Sequence, residues 1–206
     1  MKRFTSTLVA EGTSDRALVP LIEFLLDEHC RLPHVTTFAA DVPTGSLGDR
    51  IQRALDLYPC DLLFVHRDAD SGPVSDRETE IRTALKLNGS PSAILLVPVR
   101  MTETWLLVDE MAIRRASGNL SGTLELGLPA HSKLEKHSDP KGLLFSALQK
   151  ASGLGPQRLR RFDLNQARRQ VSGFMDDRSV LRALPSFVHF ETQVRDFFSG
   201  QLLQSD

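Results

Sequence analysis

Leu62-Leu63-Phe64-Val65-His66-Arg67-Asp68-Ala69-Asp70-Ser71-Gly72 is the stretch on which the reading of this chain turns. Four consecutive apolar residues with no polar alternation describe a strand buried on both faces, as in a parallel sheet covered by helices on each side. The two aspartates and the glycine behind it form a loop. In an open parallel sheet, loops at the carboxyl ends of the strands gather into one crevice, and ligands bind there.

The same texture extends outward in both directions. Upstream, Thr7-Leu8-Val9-Ala10 is a short apolar run ending at Glu11-Gly12. Ser14-Asp15 then offers a cap for a helix carrying Leu18, Leu21, Ile22, Leu25 and Leu26 at helical spacing. His34 to Ala40, rich in β-branched and aromatic residues, reads as a second strand, and Pro43-Thr44-Gly45-Ser46 breaks the chain before a helix with Leu47, Ile51, Leu55 and Tyr58 on one face. Downstream, a helix from about Asp76 to Leu87 stops near Asn88-Gly89, and Ala93 to Val99 is a fourth strand. Strand–helix alternation with buried strands predicts a parallel α/β sheet of about four strands with right-handed crossovers.

After Val99 the pattern changes. A short helix is expected from Thr102, as its cap, to Glu110, with another from Met111 to Ser117. Ser117 to Pro129, rich in Gly, Ser and Leu, reads as a loop or irregular lobe. From Pro140 a helix places Leu143, Leu144, Ala147 and Leu148 together, and a last amphipathic helix carries Phe187, Phe190, Val194, Phe197 and Phe198. The expected organisation is an α/β core over residues 1–116 and a helical C-terminal region over residues 117–206 packed on it. No internal repeat or low-complexity tract is present.

Composition narrows the class. The 206 residues include 25 Lys and Arg against 26 Asp and Glu, and 41% are apolar, which excludes a fibre or a disordered tail. No apolar run reaches the ~18 residues of a membrane span, so no membrane partner is expected. The basic start Met1-Lys2-Arg3 runs into Glu11-Gly12 without a signal-peptide core, so it reads as the first strand. Cys30 and Cys60 are too few for a disulfide framework, so a cytoplasmic location is expected. Charge is unevenly spread: residues 1–130 hold 13 basic and 18 acidic side chains, residues 131–182 hold 11 and 5. An acidic front half beside a basic segment suits a metal-binding pocket next to a phosphate-attracting surface, or simply a solvated helical face.

Acidic residues fall at the functional edge of the predicted sheet: Glu11 after the first strand, Asp68 and Asp70 after the third, Glu103 just after the fourth. Asp68 and Asp70 are two apart, so an extended backbone points both the same way. Carboxylates crowded into one pocket repel unless a cation neutralises them or a proton is taken up. Hard oxygen donors favour Mg²⁺ or Mn²⁺ over zinc.

Thr7-Leu8-Val9-Ala10-Glu11-Gly12 with Ser14-Asp15 resembles the first motif of the Toprim domain shared by topoisomerases, primases and OLD-family nucleases, and Asp68-Ala69-Asp70 resembles the second. More narrowly, Val97-Pro98-Val99-Arg100-Met101-Thr102-Glu103-Thr104-Trp105-Leu106-Leu107-Val108-Asp109 is similar to the third block of the DUF4276 family, a Toprim-like group. Asp139-Pro140-Lys141 and the stretch from Asp177-Arg178 to Ser186-Phe187 are similar to its later pattern. The resemblance implies a Toprim-like fold, Glu11 as general acid/base, and Asp68 and Asp70 as ligands of Mg²⁺ or Mn²⁺. From the OLD-like branch it implies Asp15 and Glu103 as supports for a second metal, and a separate ATPase partner in a bacterial defence system. The chain itself has no G-x-x-x-x-G-K-[ST] phosphate loop.

The other candidates have two readings each. Lys141 steadies a developing charge on a scissile phosphate, or is a surface lysine at a helix start. Arg67 and Arg100 grip phosphate, or neutralise neighbouring carboxylates. Asp109 caps or braces a helix, and Trp105 belongs to the core. Arg158, Arg160, Arg161, Arg168 and Arg169 are placed to track a nucleic-acid backbone. The expected function is a metal-dependent nuclease acting on DNA or RNA. The alternative is a non-catalytic Toprim-like binding or regulatory module. A phosphatase of the haloacid-dehalogenase type fits worse, because its nucleophilic Asp follows the first core strand and Glu11-Gly12 has no part in it.

Overall fold

The computed structural model describes residues 3–42, 45–88 and 92–202, with the side chains of Gln201 and Leu202 set aside; the expected break at Pro43-Thr44 and helix stop at Gly89 lie outside the described residues. The fold is α/β, a four-stranded, all-parallel sheet flanked by helices. Strands β1 (Ser6–Val9), β2 (Phe38–Ala39), β3 (Leu62–His66) and β4 (Ala93–Leu96) stand in the order β2-β1-β3-β4. Register runs Val9 opposite Val65 and His66 opposite Leu96, so the carboxyl ends of β1, β3 and β4 share one edge. Strand order reverses between β1 and β3, because β1 leads to β2 on one side and the chain continues through β3 to β4 on the other. Such a reversal opens a crevice beyond the carboxyl ends of the two central strands.

The period of two along each strand divides the interior. Leu8, Leu62, Phe64, Ile94 and Leu96 face one core with α1 (Val19–His29) and the C-terminal helices. Val9, Leu63, Val65 and Leu95 face a second core with α2 (Leu47–Leu57) and α3 (Val74–Leu87). Then come α4 (Glu103–Leu106), α5 (Glu110–Ala116), α6 (His131–Leu134), α7 (Pro140–Ser152), α8 (Pro156–Leu159), α9 (Leu164–Gln170) and α10 (Pro185–Leu202). The first core runs without a break from β1 through Trp105, Leu148 and Val171 to Phe187, Phe190 and Val194. On α10, Phe190 stacks on Trp105 at 5.8 Å and meets Phe64 edge-on at 6.0 Å. Gln193 serves the open edge of β4: its amide donates to the Leu95 carbonyl at 3.0 Å, and its oxygen accepts from the Leu95 N–H at 3.4 Å. That satisfies a backbone pair which a bare edge would present to other chains.

Several boundaries differ from expectation. The second strand, expected from His34 to Ala40, is reduced to Phe38–Ala39 plus an isolated bridge between Phe4 and His34. An edge strand has one neighbour only, and here side chains take over the backbone's bonds: Glu23 accepts from the Thr37 N–H at 2.5 Å, and Thr37 and Ser6 share a hydroxyl bond at 2.9 Å. The fourth strand stops at Leu96 rather than Val99, since Pro98 has no N–H to give a ladder. The segment over Ser14-Asp15 is a 3₁₀ turn, Thr13–Leu18, led by Gly12; α1 follows it, with Pro20 in its first turn. Thr102 makes no capping bond to α4, which ends at Leu106. Residues 117–129 are irregular, as expected.

Candidate functional site

Backbone geometry first decides which acids reach the crevice. Glu11 and Asp15 follow β1, Asp68 follows β3, and Glu103 opens α4. Asp15 is held by reciprocal bonds: its carboxylate accepts from the Gly12 N–H at 3.0 Å, while its own N–H donates to the Gly12 carbonyl at 3.2 Å. Asp68 Oδ1 accepts from the Thr102 N–H at 2.8 Å, which ties the loop after β3 to the loop after β4. His66, the last residue of β3, lies on the same face as Leu62 and Phe64 and is buried between two aspartates. Its Nε2 is 3.1 Å from both Asp68 Oδ1 and Thr102 Oγ1, and its Nδ1 is 3.7 Å from Asp15 Oδ2.

Arginines complete the arrangement. Arg168 of α9 reaches in, only 6% exposed, with Nε 2.7 Å from Glu103 Oε1 and Nη2 3.4 Å from Asp15 Oδ1. Arg67 bridges Glu11 Oε1 at 2.5 Å and Glu80 Oε1 at 3.0 Å. The Arg67 and Arg168 Nε contacts lie off the N–H axis, so they are ion pairs rather than directed hydrogen bonds. Thus Asp15, Asp68 and Glu103 form one network through His66 and Arg168, and Glu11 lies close enough to feel the charges of Asp15 and Asp68.

Asp70 is drawn elsewhere. Its backbone is left-handed, φ 53°, so the extended geometry that would align it with Asp68 is absent. Its carboxylate meets Arg77 at 3.0 Å, while Arg77 also holds Glu80 at 2.9 Å and donates to the Asp68 carbonyl at 3.1 Å. Arg100 is left-handed as well, φ 66°, and its carbonyl accepts from the Asp70 N–H at 2.7 Å. Two side-chain-bearing residues in this region, joined by one bond, mark strain held at the crevice. The Arg100 side chain has no ion pair or hydrogen bond among the described residues. Lys141 is exposed in the first turn of α7, 5.9 Å from the centre of the Phe145 ring, with Asp139 capping that helix through the Gly142 N–H at 2.8 Å. Its charge still reaches Glu103. Asp109 caps α5 through the Ala112 N–H at 3.0 Å, and Trp105 is fully buried, donating to Ser186 Oγ at 2.8 Å.

Burial governs the protonation of the two glutamates. Glu103 is pushed above the ordinary carboxyl range by desolvation, opposed by Arg168 and Lys141 and reinforced by Asp68. Glu11 is raised by desolvation too, against the pull of Arg67 and His66, with Asp68 and Asp15 adding to the rise. A pocket of about 180 Å³ opens beside it, lined by Glu11, Gly12, Thr13, Arg16, Asp41 and Arg50 among others.

Asp68 Oδ2 and Glu11 Oε2 accept no hydrogen bond among the described residues, and a Mg²⁺-type ion needs only one or two carboxylates besides water and substrate oxygens. The donor chemistry, free carboxylate oxygens, is of the kind such an ion takes. It does not form a ready cage: Asp15, Asp68, Asp70 and Glu103 contribute no three donor atoms within 4.8 Å of one another. Among the described residues only Glu28, His29 and Glu191 do, and Arg182 already pairs with both of those glutamates.

Two participants were not singled out by sequence reasoning. His66 had a signal, a polar residue at a core-facing strand position. Arg168 was grouped with the backbone-tracking arginines; it is instead buried and spent on Asp15 and Glu103, and nothing local announces a partner 153 residues away. Comparison with known proteins adds nothing to this geometry: no family model, curated protein or solved structure matches the chain.

Proposed function

We propose that the chain is a Mg²⁺- or Mn²⁺-dependent hydrolase of nucleic-acid phosphodiesters, a nuclease of Toprim-like type. The observation that carries this reading is the network of Asp15, Asp68 and Glu103, with Glu11 close by, at the reversal point between β1 and β3. A bound divalent ion would supply charge neutralisation at the scissile phosphate. Asp68 through Oδ2 would hold it, with Asp15 and Glu103 behind it. Glu11, at the open mouth and raised by burial, is suited to carry a proton between water and the leaving oxygen. Arg67, beside Glu11, is placed to exchange its carboxylate for a phosphate oxygen, and Lys141 and Arg100 add positive charge around the entrance. The OLD-like resemblance extends the proposal to a separate ATPase partner, since the chain carries no phosphate loop of its own.

One observation favours a second reading, a non-catalytic binding or regulatory module. Asp15 and Glu103 are already bridged by Arg168, as a structural ion-pair network would be.

Asp68→Asn separates the two. Asparagine keeps an oxygen for the Thr102 N–H and removes the charge, so Tm should stay within a few degrees. Cleavage of plasmid, single strands or RNA with Mn²⁺ should fall at least ~100-fold. Wild-type protein that cuts none of these with either metal, alone or with an ATPase partner and ATP, refutes the hydrolase.

A further inference from the structure

We propose that Arg158, Arg160, Arg161 and Arg169 form a docking surface for the phosphate backbone of a nucleic-acid duplex, leading to the acidic mouth; the choice of substrate class rests on the phosphodiester reading above. All four side chains are exposed, and none has an ion pair or hydrogen bond among the described residues. Arg67, Arg77, Arg114, Arg115, Arg168 and Arg182, by contrast, are each committed to a carboxylate. The only acid between residues 155 and 170 is Asp163, whose Oδ1 is used in capping α9 through the Gln166 N–H at 2.8 Å. Arg158, Arg160 and Arg161 line one open pocket of about 370 Å³ with Gln157. Arg169 is exposed on α9, and the residue before it, Arg168, is buried against Asp15 and Glu103. The helix that carries Arg169 outward thus also carries a side chain of the acidic cluster.

Its chemistry selects the occupant. A protein partner is held mainly by a buried apolar or aromatic centre, and no large hydrophobic side chain is exposed between residues 155 and 170. Unpaired bases are held by stacking on exposed aromatics, whereas Phe162, the one aromatic there, packs against the core. Several free guanidiniums without an apolar anchor suit a regular array of phosphates, whose binding comes from released counterions.

The test is fluorescence anisotropy of a labelled DNA duplex and the matching RNA duplex with the full chain, in EDTA, between about 50 and 200 mM salt. Each phosphate contact contributes about 0.9 to the slope of log affinity against log salt. The triple variant Arg158→Ala, Arg160→Ala, Arg161→Ala should lower that slope by about 2 to 3 and weaken binding roughly 100-fold or more at 0.1 M salt. Arg169→Ala should lower it by about 1. Arg195→Ala, which removes a guanidinium paired with Asp196 on α10, should change neither. Circular dichroism and Tm of the triple variant should match wild type, as these side chains support nothing. An unchanged slope in the triple variant, a wild type that binds no duplex, tighter binding to single strands, or equal displacement by polyglutamate each overturn the surface. Because EDTA prevents metal-dependent cleavage, arginine-dependent duplex binding by a protein that never cuts keeps the surface and removes the hydrolase. Cleavage with arginine-independent binding does the reverse.

Discussion

Replacing Arg168 with methionine removes the one guanidinium buried between Glu103 and Asp15 while keeping a long apolar side chain in its place, so little cavity is created. The two carboxylates then remain in the interior without their counter-charge. Breaking a buried ion pair from one side costs about 3–5 kcal/mol, a large part of the ~5–15 kcal/mol that holds a domain folded. At about 2–4 °C per kcal/mol for a chain of this size, Tm should fall on the order of 10 °C. The loss should depend on pH. Burial already raises the Glu103 carboxyl above its ordinary 4.5 despite Arg168, and removing Arg168 takes away the main opposing influence. The folded variant then holds a proton that the unfolded chain has released. The stability from that proton is fully present below about 4.5 and is lost as pH rises through the higher folded value. Urea unfolding at pH 5 and pH 8 reads the effect: the gap between wild type and variant should be widest at pH 8 and narrow toward pH 5, with the m-value unchanged. Equal stability at pH 8, or the same deficit at both pH values, refutes this account of the site.

Arg100→Gly should be more stable than Arg100→Ala by about 1 kcal/mol in chemical denaturation, because alanine keeps the left-handed penalty at φ 66° and glycine does not. Trp105→Phe removes the donor to Ser186 and leaves a small void, at about 2–3 kcal/mol by urea unfolding. Adding Ser186→Ala should cost less than the two single changes together, a coupling measured by a double-mutant cycle. Phe190→Ala should cost about 3–5 kcal/mol, since its ring packs on both Phe64 of β3 and Trp105. In that variant, amide exchange should show β4 deprotected together with α10, because Gln193 of the same helix holds the Leu95 backbone.

The central sheet was legible because burial on both faces leaves no polar residue in Leu62-Leu63-Phe64-Val65, and flanking helices follow from that requirement. The β2 edge was not, because Thr37 and Glu23 supply bonds that compete with the ladder, a choice made by tertiary neighbours rather than by propensity. The positions of Glu11, Asp68 and Glu103 followed from strand ends, whereas Asp15 read as a helix cap and joined them only through the family resemblance. Asp70 did not follow: a spacing of two implies a shared direction only for extended backbone, and the bond from the Asp70 N–H to the Arg100 carbonyl holds that turn left-handed instead. Arg168 could not be paired from sequence, since its partners lie in the first loop of the sheet and at the start of α4.

The pairing of charges at the crevice explains how such a cluster is compatible with a folded chain. Five carboxylates, Glu11, Asp15, Asp70, Glu80 and Glu103, are directly contacted by three guanidiniums, those of Arg67, Arg77 and Arg168, while the Asp68 carboxylate meets none. His66 stands between Asp15 and Asp68, and Arg50 and Lys141 act on Glu11 and Glu103 from further off. The guanidiniums hold the acids together through folding, yet they do not balance them one for one. What remains of the negative charge must be met by protons, for which Glu11 and Glu103 are raised, or by a cation at the mouth. Asp68, with one oxygen fixed by Thr102 and the other free, is where a cation would displace no existing bond. On the proposed hydrolase reading, an ion there would complete its shell with water and an oxygen of the substrate phosphate. On that reading, the same imbalance would favour a cation and a substrate phosphate arriving together.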